Sequence, residues 1–168
     1  MKTTRIRFLV RSAMIAALYV ALTLVSAMLG LSSGAIQVRL SEALCVLPVY
    51  TTAAIPGITV GCFLANLLTG GTIWDLTLGV LATFLGLFFA HLLRRSRYLV
   101  PLPTILSNGF LIPYVLILAG FIPNTAASYG MTALTVGLGE LIACGGFGTV
   151  LVRYLDMHPA TATKLFGK

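Results

Sequence analysis

Glu42, Asp75 and Glu140 are three of only four carboxylates in a chain of 168 residues, and each lies in or beside an apolar stretch. Asn66 and Asn108 share that setting. A carboxylate in such surroundings accepts paired hydrogen bonds from a planar donor edge. A carboxamide both donates and accepts. Such groups are suited to holding a flat polar molecule. Ionisable side chains at membrane depth are costly, so they face a cavity or a partner and are functional candidates by default. Arg39, three residues before Glu42, and Trp74, beside Asp75, complete the candidate binding set.

Each candidate also has a structural reading. Glu42 can be a helix-start carboxylate paired with Arg39, and Trp74-Asp75 an interfacial aromatic anchor followed by a cap. Asn66 and Asn108 can bond neighbouring helices. Glu140 is the hardest to explain structurally. In "VGLGELIACGGFG", Gly137, Cys144 and Gly148 share its face at helical spacing, which admits either close packing or space for a ligand.

Bond-breaking chemistry finds little support. The chain has no G-x-x-x-x-G-K-[ST] phosphate loop, no H-E-x-x-H and no nucleophile elbow. His91 and His158 are far apart in sequence, and Cys45, Cys62 and Cys144 have no paired spacing. The cysteines read as small buried thiols, not as a disulfide framework or a zinc site. The expectation is a protein that is not an enzyme, with no catalytic residues, no metal site and no cofactor.

The elements that must position these residues follow from composition. Apolar residues make up 58% of the chain and charged residues 9%, with mean hydropathy +1.02. Soluble domains carry about a quarter charged residues, so lipid must cover this exterior, as one all-α membrane domain over 1–168. An apolar run from Phe8 or Ala13 to Leu29 exceeds the ~7–15 residues of a signal h-region, so it reads as a retained first span over roughly 10–30. Further spans are expected near 73–93, 101–121 and 131–153. Residues 41–69 are too long for one upright crossing and short for two. Pro48 and "IPG" at 55–57 interrupt them. Proline removes a donor and glycine permits a reversal, so two short helices, 41–55 and 57–69, are expected to meet at Pro56-Gly57.

Charge decides between five spans and six. With six, Lys2, Arg5, Arg7, Arg11, Arg94, Arg95, Arg97, Arg153, Lys164 and Lys168 share one side, and only Arg39 lies on the other. That obeys the positive-inside rule and puts both termini in the cytoplasm. The net charge of +7 is then topogenic and calls for no nucleic acid. Residues 31–40 fall outside, where "AIQVRL" alternates and favours an extended stretch. Ser41 is expected to cap the second helix. Asn108 falls in the cytoplasmic half of the fifth. On the first span Ala13, Ala17 and Ala21 recur every four residues, with Ser12 and Ala16 on an adjacent strip. Such small faces let helices approach closely in lipid, within the protein or against a partner.

The stretches "QVRLSEALCVLP" at 37–48, "TTAAIPGITVGCFLANLLTGG" at 51–71, "WDLTLGVLATFLG" at 74–86, "LSNG" at 106–109 and "GE" at 139–140 resemble the QueT family in the same order. These are S components, the substrate-binding subunits of energy-coupling factor (ECF) transporters. Cys45 stands where the family usually carries threonine, a departure that leaves the charged positions intact. The resemblance implies a six-helix subunit of a prokaryotic plasma membrane that captures a queuosine precursor outside the cell. Its implied partners are a transmembrane coupling protein, docked on the Ala13, Ala17 and Ala21 face, and two ATPase subunits. A deazaguanine base presents N–H donors to a carboxylate, and Asn66 or Asn108 can read its carbonyl and ring nitrogen. An S component for another vitamin-like nutrient, or a membrane scaffold whose polar residues only hold helices together, are the competing readings.

Overall fold

The computed structural model of the protein describes residues 2–31 and 36–166. The 32–35 portion of the expected outer segment and basic Lys168 lie outside the described residues. Seven helices make up the described fold, with no strand among those residues. Helix α1 is Lys2–Met28, α2 Leu40–Val49 and α3 Ala54–Leu68. Helix α4 is Asp75–Leu92, α5 Pro101–Leu118, α6 Ala126–Met157 and α7 Pro159–Phe166.

Four segments are long and apolar enough to cross a bilayer: Thr4–Met28, Asp75–Leu92, Arg97–Leu118 and Ala126–Met157. Their outward faces carry large apolar side chains, including Leu9, Met14, Phe84, Phe88, Phe110 and Leu134. That exterior suits lipid. The shorter α2 and α3 are apolar as well. Helix α2 is wound as a 3-10 helix of 10 residues, about 20 Å at ~2.0 Å rise, and α3 spans about 22 Å at ~1.5 Å.

The reversal between these two helices is not at Pro56-Gly57. The chain turns at 50–53, where Tyr50 and Thr51 both donate to the Leu47 carbonyl and Ala54 donates to Thr51. Pro56 falls in the first turn of α3, where backbone N–H groups have no intrahelical partner and a missing donor costs nothing. Gly57 serves packing. A Cβ there would lie 2.7 Å from the Ser12 carbonyl oxygen, and one at Gly61 would lie 2.9 Å from Tyr19 Cβ. The Gly57-xxx-Gly61 face thus brings α3 against the Ser12–Ala16–Tyr19 side of α1. Ala13, Ala17 and Ala21 point away from this contact and are exposed.

The start of α2 also differs from expectation. Arg39 is extended, at φ −101° and ψ 111°, in line with the alternating pattern, but Ser41 does not cap the helix. Its hydroxyl accepts from Thr23 at 2.8 Å, while Ser26 of α1 accepts the Leu40 N–H at 2.9 Å. The helix start is capped from a neighbour. Around α2 lies the core: Tyr19, Cys45, Val46, Ile58, Leu87 and Cys144 are almost wholly buried.

Two helices carry wider, π-wound stretches, Asp75–Gly79 in α4 and Leu141–Phe147 in α6. One begins at Asp75 and the other follows directly on Glu140. Such irregular turns re-aim side chains and often mark functional sites.

Candidate functional site

Three of the four carboxylates converge on one cavity of about 60 Å³. Glu42 of α2, Asp75 of α4 and Glu140 of α6 line it with Arg39, Asn66 of α3 and Asn108 of α5. Cys62, Gly79, Thr83, Ile112, Leu116, Val136 and Gln37 fill the rest of the wall. Six of the seven expected contacts are therefore brought together. Trp74 is not among the lining residues and stands 38% exposed beside Asp75.

The carboxylates are held differently. Glu42, 2% exposed, is saturated: one oxygen accepts from the Tyr19 hydroxyl, and the other from the Cys45 thiol at 3.1 Å. Arg39 makes no ion pair with it. The guanidinium donates to Asn66 Oδ1 at 3.4 Å. Asn66 in turn donates to the Asp75 carbonyl at 3.2 Å. The Asp75 carboxylate accepts from the N–H of Thr72 at 2.8 Å and its hydroxyl at 2.6 Å, tying the loop to the start of α4.

Glu140 is unlike the other two. Its Oε1 accepts from Asn108 Nδ2 at 2.7 Å, in a pair where both residues are less than a tenth exposed. Its Oε2 has no donor, and neither has Asn108 Oδ1. Two buried acceptors without donors are costly, since each forfeits a hydrogen bond that water would supply. Both are free to accept from whatever fills the cavity. Asn108, expected nearer the cytoplasmic end, meets Glu140 because α6 begins at Ala126 and not near 131, which sets Glu140 halfway along it.

The cavity is small in this form. It has room for a few waters, far below the ~300 Å³ typical of small-molecule pockets. The extended segment before α2 covers one side. Gln37 lines the cavity, and its carbonyl oxygen lies against Gly139, where any Cβ would overlap it. Only a glycine admits that contact. Among the described residues no group of three His, Cys, Asp or Glu side chains is placed to hold a metal.

Tyr19 and Cys45, which clamp Glu42, went unrecognised from sequence. Tyr19 sits within an apolar helix and Cys45 within an apolar run, so neither advertises a polar partner. Gly57 reads as a turn residue in the sequence, and the close contacts made at Gly57, Gly61 and Gly139 depend on neighbours distant in the chain.

No curated protein and no solved structure matches the chain. A family model described as "QueT transporter" matches residues 9–157, a stretch containing all the cavity-lining residues. The chain thus belongs to the QueT transporter family, a family of ECF S components, and is a membrane transport subunit.

Proposed function

We propose that this subunit captures a deazaguanine-type queuosine precursor at the extracellular face and delivers it for ATP-driven uptake. The observation that carries the reading is the pair of donorless acceptors, Glu140 Oε2 and Asn108 Oδ1. A guanine-like edge presents a ring N–H and an exocyclic amine side by side, the two donors this pair lacks. Arg39, which lines the same cavity, is a donor suited to the ring carbonyl. With Glu42, Asp75 and Glu140 facing one guanidinium, the lining also favours a ligand bearing positive charge.

In this reading α1 to α6 all cross the membrane, with both termini cytoplasmic and the cavity opening outward. The short α2 crosses because it is enclosed by its neighbours, where unsatisfied backbone meets protein and not lipid, while α3 turns Val60, Phe63, Leu64 and Leu67 outward to lipid. The segment ending at Arg39 moves aside to admit the base and closes over it. Transport then needs a coupling protein and two ATPase subunits in a prokaryotic plasma membrane. The exposed face of Ala13, Ala17 and Ala21 is the surface offered to the coupling protein.

An S component for another vitamin-like nutrient shares this architecture, but its ligand must still bring two adjacent donors. A scaffold role leaves the two acceptors unexplained. Mass spectrometry of the small molecule released on denaturing the purified protein tests the assignment. A deazaguanine base is expected from wild type and not from Glu140→Gln. Release of a different compound class from wild type overturns the substrate.

A further inference from the structure

The opposite end of the molecule holds a second, larger cavity, about 420 Å³, bounded by α1, the 50–53 turn, the end of α4 and α7. Arg7, Arg11 and Arg94 line it, with the hydroxyl residues Thr51 and Thr52. None of the four carboxylates does. Three line the first cavity, and Asp156 pairs with Arg97. His91 Nδ1 lies 3.0 Å from the Pro48 carbonyl and must donate to it. Its Nε2 then accepts from Arg94 Nη1 at 3.2 Å and orients the guanidinium. Arg11 spends one N–H on the Phe166 carbonyl at 2.7 Å and keeps the rest. Arg7 has no hydrogen-bond or ion-pair partner among the described residues.

This basic cavity continues into an apolar groove of about 300 Å³. Arg11 and Phe166 belong to both, and Met14, Leu18, Leu47 and Leu165 form the groove walls. Three guanidiniums without carboxylates, opening onto an apolar channel along a spanning helix, match a molecule with an anionic head and a hydrocarbon tail. Arginine forks fit phosphate oxygens, and basic pockets at helix ends hold anionic lipid headgroups. We propose that an anionic phospholipid occupies this place, its phosphate on Arg7, Arg11 and Arg94 and one acyl chain along Met14 and Leu18. The site is independent of the substrate cavity. It links α1 to α7 through a lipid of the leaflet at the basic end.

Native mass spectrometry of the delipidated full chain in neutral detergent tests this. The added probes are phosphatidylglycerol, phosphatidylcholine with the same acyl chains, and glycerol 3-phosphate. One phosphatidylglycerol is expected to be retained, with phosphatidylcholine and glycerol 3-phosphate binding far more weakly. The Arg7→Gln/Arg94→Gln double variant is expected to bind phosphatidylglycerol at least about tenfold more weakly, given the contribution of each basic residue near a lipid surface. Leu18→Trp, which fills the groove without changing charge, should weaken it too. Circular dichroism verifies that the helices are intact, and Arg7→Lys/Arg94→Lys, which keeps the charge, should recover part of the binding. Equal retention of both lipids, displacement of lipid by glycerol 3-phosphate at similar concentration, or full binding by the Gln variant would each overturn the proposal.

Discussion

Glu42 and Glu140 are chemically identical and face one cavity, yet their partners give them different work. Glu42 is already complete, clamped between Tyr19 of α1 and Cys45 one turn along α2. Removing its charge should therefore act on the fold. Glu42→Gln is expected to cost about 2 kcal/mol, the scale of buried hydrogen bonds to a charged group, and to lower the unfolding midpoint in detergent. Its effect on ligand affinity should be smaller than that of Glu140→Gln. Equal losses would assign both carboxylates to the ligand. Glu140 keeps one oxygen without a donor and is steadied through the other by Asn108. The candidate residues were legible in the sequence because carboxylates are scarce and apolar surroundings make each conspicuous. Which of them was saturated was not, because Tyr19 and Cys45 look like ordinary apolar-helix residues until the helices are placed.

At the scale of elements, the apolar runs exposed the helices, but their local winding and joints were set by neighbours. Proline and glycine at 56–57 carry the vocabulary of a turn, and the actual turn at 50–53 contains neither. A glycine is needed for a reversal or for a close crossing, and sequence alone does not separate the two. The π-wound stretches beside Asp75 and Glu140 left no mark in the pattern either. Gly139 supplies a test at this scale. It allows the Gln37 carbonyl to lie on α6, closing the cavity. Gly139→Ala should push the 36–39 segment away and leave the bound base less enclosed. The ligand off-rate should rise roughly tenfold, equivalent to about 1.4 kcal/mol, in a chase experiment on loaded protein. An unchanged off-rate would show that this segment is no barrier to escape.

Across the whole molecule, charge is divided between two ends. Three of the four carboxylates line the first cavity, and Arg7, Arg11 and Arg94 line the second at the other end. The family match over 9–157 spans both cavities apart from the first residues of α1 and the end of α7. The exposed alanine face of α1 runs between the two ends without contributing to internal packing. Ala17→Trp is accordingly expected to abolish co-purification with the coupling protein and ATPase subunits while leaving ligand affinity unchanged. Retained assembly would move the docking surface elsewhere. The central claim is that Glu140 and Asn108 read the donor edge of a deazaguanine. It is tested most directly by the affinity of purified protein for a 7-deazaguanine and for its analogue lacking the exocyclic amine. Wild type is expected to bind the analogue roughly 5- to 150-fold more weakly, since leaving a buried acceptor unpaired costs roughly 1–3 kcal/mol, with little difference between the two in Glu140→Gln. Equal affinity of wild type for both compounds would contradict it.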